Sequence, residues 1–211
     1  MRVAVRGLFL VAIVLACSGA AVAGESIIET IQSRHETIHS FRVEFIQELT
    51  VAASRESEER RGVLYFQHPG LIRWETESPE AELLIVGSKV VWNYFEEEEV
   101  AYRYAVEEVV GSATVLRILS GQARLDDDFF TEVDPNPETN DLVVHLRPHE
   151  PEPSLVEATI RVDPETFLLR EVRAVDFYGN TNRVILHNLQ LNLDLDPALF
   201  AFSPPDGVMV R

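Results

Sequence analysis

The chain has 211 residues, of which 46% are hydrophobic, enough for one domain with a substantial core. Its 18 basic and 35 acidic residues leave a formal charge of −17, a surface that repels phosphate backbones and argues against nucleic acid as a partner. Anionic headgroups are repelled for the same reason, so any contact with lipid has to be with buried apolar chains.

Met1 to Ala23 has the three parts of a secretory signal peptide. Arg2 and Arg6 are the positive start, Leu8 to Cys17 is an unbroken apolar run, and Ala21-Val22-Ala23 is a small-x-small cleavage site. The apolar run is shorter than the roughly 20 residues a spanning helix needs. No later stretch is apolar enough to span, so a soluble exported domain over 24–211 is expected. Val14-Leu15-Ala16-Cys17 loosely resembles a lipobox, with Leu15 where a small residue is usual. Cleavage after Ala23 is the preferred reading; cleavage before Cys17 would instead tether the chain to a membrane. The first route removes Arg2 and Arg6, leaving 16 basic against 35 acidic residues, a charge of −19. It also removes the one cysteine, and with it disulfides and thiol catalysis.

Ser26-Ile27-Ile28-Glu29 fits a capping box ahead of an apolar-periodic run, and predicts an amphipathic helix over Glu25 to His39. At Ser40 the period changes to two. Strands are predicted over Phe41–Thr50, Arg61–Gln67, Leu71–Thr76, Leu83–Val86, Lys89–Phe95 and Val100–Tyr104, with Gly87-Ser88 as a two-residue hairpin turn. Ser112 to Leu119 breaks the alternation and reads as a second helix. Pro135 to Asn140 is a loop. Strands follow over Leu142–Leu146, Val156–Val162, Phe167–Phe177 and Asn182–Leu193, and Ala198 to Ser203 is a short final element. Short connections between strands predict antiparallel neighbours, and strands with few helices suggest a barrel or a half-barrel closed by helices.

His35-Glu36-Thr37-Ile38-His39 matches H-E-x-x-H, which on a helix would place two zinc ligands on one face with Glu36 as general base. Ser33 and Arg34 are polar where such a helix is usually apolar, and the chain turns to strand at Ser40-Phe41, leaving no helix for a nearby third ligand. A solvated helix end is the preferred reading, and a zinc hydrolase the remote alternative. His145, His149 and His187 lack ligand spacing with a Cys or a second His that would define a site. The acidic runs Glu96–Glu99 and Asp126–Asp128 have no EF-hand spacing and read as solvated loops. No metal site, no cofactor and no catalytic residue is assigned.

Several segments together resemble the LolA family of periplasmic lipoprotein carriers. Phe41-x-x-x-Phe45-x-Gln47 follows the first helix, and Gly62-Val63-Leu64 leads to Pro69-Gly70-Leu71-Ile72-Arg73-Trp74. Pro79 precedes an apolar strand, then comes Trp92-Asn93-Tyr94, and Leu199-Phe200-Ala201-Phe202-Ser203-Pro204-Pro205-Asp206-Gly207-Val208 closes the chain. Membership implies a mainly β fold with an α lid: an unclosed antiparallel half-barrel covered by helices around an apolar cavity. It implies a periplasmic, non-catalytic, monomeric carrier. Such a carrier shelters the acyl chains of outer-membrane lipoproteins between a LolCDE-type ABC transporter and a LolB-type receptor. A related lipid- or glycolipid-binding half-barrel, LolB-like if anchored through Cys17, is the alternative.

By the resemblance, Ile72 and Trp74 face the cavity and Arg73 the opposite side, since residues two apart in a strand share a face. Leu84, Trp92 and Tyr94 match other lining positions, with Phe45 and Leu64 added. Ile27, Ile28 and Ile31 would present the first helix to the sheet, and Val115, Leu116 and Leu119 the second. His68 stands where the family has an arginine that latches the lid. Neutral His has one donor where Arg has five, so a weaker latch is expected there.

Overall fold

The computed structural model describes residues 26–106, 109, 114–135, 140–150 and 152–211. The signal segment with Cys17, and Ser112 and Ala113 of the second helix, lie outside the described residues. Among those described, no helix is long and apolar enough to cross a membrane.

Helix α1 spans Ile27–Glu36. Its capping box is formed: Ser26 Oγ accepts from the Glu29 N–H at 3.1 Å, and the Ser26 N–H donates to Glu29 Oε2 at 2.7 Å. The helix stops three residues short of the expected His39, because the Thr37 N–H turns back onto the Arg34 carbonyl and the Ile38 N–H onto that of His35.

The strands are β1 (Ser40–Thr50), β2 (Ser57–Gln67), β3 (Leu71–Ser78), β4 (Glu82–Val86), β5 (Val90–Phe95) and β6 (Val100–Ala105). Helix α2 follows at Thr114–Leu119. The remaining strands are β7 (Phe129–Pro135), β8 (Leu142–Pro148), β9 (Glu157–Val162), β10 (Leu169–Val175), β11 (Thr181–Leu191) and β12 (Met209–Val210). All twelve form one unclosed sheet, ordered β12-β6-β5-β4-β3-β2-β1-β11-β10-β9-β8-β7. Two meanders, β1 to β6 and β7 to β11, are joined where β1 pairs with β11. The three longest strands, β2, β1 and β11, therefore lie side by side at the middle of the sheet, and α2 lies in the crossing between the two halves.

Two strands differ from the sequence expectation. β7 is an edge strand whose residues Phe130, Thr131 and Glu132 are exposed, so it carries almost no apolar period to be read. β12 runs parallel to β6, the one exception to antiparallel pairing among the ladders described. A short 3-10 helix at Pro197–Phe200 turns the chain, and the tail then climbs beside β6, with the Arg103 N–H donating to the Arg211 carbonyl at 2.9 Å.

One face of the sheet is covered by the helices. Val184, Val172, Ile160 and Val144 lie side by side across four strands on that inner face and are all fully buried. The opposite face of the same strands is ionic. Arg161 bridges Asp141 at 2.5 Å and Glu171 at 3.2 Å, and Arg183 bridges Glu171 at 2.9 Å and Glu48 at 3.0 Å. The alternation of period two thus separates an apolar interior from a charged exterior over β8 to β11.

Candidate functional site

The interior between helices and sheet is built from alternate strand residues. Phe41, Val43 and Phe45 of β1 stand opposite Phe66, Leu64 and Gly62 of β2. Leu64 and Phe66 stand opposite Trp74 and Ile72 of β3, which in turn oppose Leu84 and Val86 of β4. Phe45 and Trp74 pack with ring centroids 4.6 Å apart, and Phe41 and Phe66 stack at 5.2 Å. The structure thus brings Phe45, Leu64, Ile72, Trp74 and Leu84 together on one surface, with Leu84 half-buried and the others buried.

Against this surface α1 presents Ile28, Ile31 and Gln32, and His35 follows one turn on. These positions are spaced i, i+3, i+4 and i+7, one helical face. Ile27 is not on it. It lies about 100° around the helix from Ile28 and is 41% exposed, so its assignment to the lining is corrected. Val115, Leu116 and Leu119 of α2 pack on the same interior, together with Ile118.

Trp92 and Tyr94 are corrected as well. Their register partners on β4 are Ile85 and Leu83, and those on β6 are Arg103 and Ala101, so both rings lie on the outer face. There Phe202 of the C-terminal segment packs at 5.6 Å from Trp92 and 5.4 Å from Tyr94, with the Arg103 guanidinium over Trp92. Arg73 shares that face, as its parity predicted, and donates to the Leu199 carbonyl at 3.0 Å.

Two of the spaces along this interior bear on the site. One is a small cavity of about 30 Å³, lined by His35, Phe41, Leu64, Phe66, Leu119 and a leucine cluster from β11. The other, about 170 Å³, lies between Val115 and Leu116 of α2 and the strand residues Trp74 and Leu84, and is edged by Arg60 and Glu82. Cargo larger than these has to part the helices from the sheet, since Ile31, Phe45 and Leu64 are already buried against their neighbours.

Polar ties hold the segment after α2 to the rest. Arg124 Nη1 reaches Glu36 at 2.8 Å, Gln122 Nε2 donates to the Pro69 carbonyl at 3.0 Å, and the Leu125 N–H donates to Gln32 Oε1 at 3.3 Å. Sequence reasoning missed Gln32, Gln122 and Arg124. Only Gln32 left a signal, its place one turn after Ile28. The imidazole of His68 is exposed and makes no hydrogen bond among the described residues; its backbone N–H donates to the His39 carbonyl at 2.8 Å. The contact to the helical cover at this turn comes from Gln122, one residue along.

The zinc geometry is not formed. Helix α1 ends at Glu36, so His35 and His39 do not share a helical face, and Glu36 is engaged by Arg124. His39 is exposed, whereas His35 Nε2 is sealed from solvent without a hydrogen-bond partner among the described residues. Burial, reinforced by the Arg34 charge, holds this imidazole at about 4, well below its ordinary value. No group of three His, Cys, Asp or Glu among the described residues is placed to hold a metal ion.

The fold is shared with solved structures. A conserved protein from Thermus thermophilus matches with a TM-score of 0.57 over 88% of this chain and 99% of that one, at 13% identity. The lipoprotein LppX of Mycobacterium tuberculosis matches with a TM-score of 0.50 over 81% and 96%, at 8% identity. In sequence the chain is 29% identical over 203 residues to the outer-membrane lipoprotein carrier protein of Methylococcus capsulatus, 96% of each chain. It is 27% identical over 172 residues to the protein of the same name from Nitrosomonas europaea, 81% of this chain and 82% of that one. The family described as outer membrane lipoprotein carrier protein LolA matches residues 36–203, from the end of α1 to the segment that covers Trp92 and Tyr94. With its unclosed sheet, its helical cover and this match over most of its length, the chain belongs to the LolA family.

Proposed function

We propose that this chain is a periplasmic carrier. It shelters the acyl chains of outer-membrane lipoproteins on the inner face of its sheet, receives them from a LolCDE-type transporter and passes them to a LolB-type receptor. The observation that carries the reading is the continuous apolar inner face of Phe45, Leu64, Ile72, Trp74 and Leu84 under two short helices.

The energetics call for such a surface. Each methylene withdrawn from water is worth roughly 0.8 kcal/mol, so a long acyl chain is worth on the order of 10 kcal/mol. That is too much to leave in water during an aqueous crossing. Delivery must therefore run from one apolar surface directly to another. The cover suits this: α2 has only six described residues, and the segment after it adds to its buried Ala123 and Leu125 an exposed tie, Arg124 to Glu36, that can open at small cost.

The test is release of a triacylated lipoprotein from inner-membrane spheroplasts by the purified chain lacking residues 1–23. Soluble lipoprotein in complex with the chain is the expected product, and Trp74→Glu, which puts a charge on the inner face, abolishes it. No complex with the wild-type chain, or a different lipid co-purifying with it consistently, overturns the reading.

A further inference from the structure

The larger part of the first interior space is hydrocarbon. Its lining has two polar side chains, His35 and Ser120. Ser120 Oγ is committed, donating to the Arg117 carbonyl at 3.3 Å. His35 Nε2 is sealed and has no partner among the described residues. A buried polar atom left unpaired is costly, and one that persists beside a binding space marks a position where a ligand supplies the partner.

We propose that His35 is the polar anchor of this cavity: its Nε2–H donates a hydrogen bond to the carbonyl oxygen of the ester or amide that joins a bound acyl chain to its head group. The inference rests on the carrier reading and adds to it the chemical group that the chain recognises.

Three features of the site fit. The side chain straddles the boundary: Nε2 is sealed while the residue as a whole keeps partial exposure. That is where a lipid changes from chain to head group. The ring is fixed from behind by Gly121, whose left-handed backbone (φ +69°) lets it sit so close that a Cβ there would come within 3.4 Å of the His35 Cβ. And the imidazole is neutral at neutral pH, because burial disfavours its charged form. A neutral ring carries one N–H, and a carbonyl at Nε2 selects the tautomer that places the proton there. The leucines beyond, from the segment before β10 and from β11, have only a chain to receive.

The experiment compares two competitors for a fluorescent acyl probe bound to the chain lacking residues 1–23. One is 1-palmitoylglycerol; the other is 1-O-hexadecylglycerol, whose chain is equally long but which has no carbonyl. Wild type is expected to prefer the ester by about tenfold, the scale of one buried hydrogen bond. His35→Leu is expected to bind both within twofold of one another, at the affinity of wild type for the ether. Because the substitution removes an unpaired polar atom, the variant stays folded, and the wild-type ratio needs no variant at all. Equal affinity of wild type for ester and ether, or an unchanged ratio in His35→Leu, overturns the anchor while leaving the carrier reading in place. Failure of wild type to bind the probe overturns both.

Discussion

Phe45 and Gly62 face each other across β1 and β2, and the phenyl ring comes close to the point where a side chain on Gly62 would begin, which the Glu75 carbonyl already occupies. A Cβ there would lie 3.0 Å from Phe45 Cζ and 1.8 Å from the Glu75 carbonyl oxygen, beside the irregularity where β2 shifts register on β3. The glycine thus lets the sheet close up and lays Phe45 against Trp74. Gly62→Ala is expected to lower stability by about 2 kcal/mol or more, because backbone and not a flexible side chain has to yield. Denaturant midpoints of wild type and variant check it; a change under about 0.5 kcal/mol would show that the strand relaxes freely.

The two faces of the sheet have separate roles, and two aromatic substitutions tell them apart. Phe202→Ala uncovers Trp92 and Tyr94 on the outer face and should lower stability by about 1–2 kcal/mol, less than a fully buried Phe would cost. Affinity for an acyl probe should not change. Trp74→Leu alters the inner face and should weaken probe binding severalfold. Weaker probe binding in Phe202→Ala would place cargo on the wrong side of this fold.

His35 makes stability depend on pH. Its folded value of about 4 lies below the ordinary 6.5, so between those values the unfolded chain binds more protons than the folded one. Stability contributed by the neutral ring is complete above about pH 6.5 and falls as the pH drops toward 4, by on the order of 3 kcal/mol in all. Thermal melts across that range should show the fall in wild type and a shallower one in His35→Leu. Parallel curves would mean that the ring is hydrated.

The ties after α2 should set how easily the cover lifts. Arg124→Ala combined with Gln122→Ala removes the contacts to Glu36 and to the Pro69 carbonyl. These groups are largely exposed, so global stability should change by less than about 1 kcal/mol. Uptake of an acyl probe, followed by stopped-flow fluorescence, should speed up severalfold. An unchanged rate would place the slow step elsewhere.

Much of this was legible from local pattern. The capping box at Ser26 marked the start of α1, strict alternation placed Ile72 and Trp74 on one face with Arg73 on the other, and the family resemblance added Leu84 to the first. Trp92 and Tyr94 were misplaced because parity within β5 says which residues share a face, and not which face of the sheet that is. β4–β5 register decides that, and it puts Val91 inside and Trp92 outside. Ile27 fell to the same kind of limit: three isoleucines in five residues cannot all point one way on a helix of 3.6 residues per turn.

The sequence by itself determined the elements, the apolar period of each strand and the ordered motifs that mark the family, because these depend on neighbours a few residues apart. Only the tertiary structure decided what His35 is. As a member of H-E-x-x-H it looked like half of a metal site or a solvated helix end. Packing of α1 against β1, β2 and the α2 segment instead seals its Nε2 among leucines and phenylalanines, sends Glu36 outward to Arg124 and leaves His39 beyond the helix. A side chain's solvation is set by whatever folds over it from elsewhere in the chain, and no local spacing encodes that.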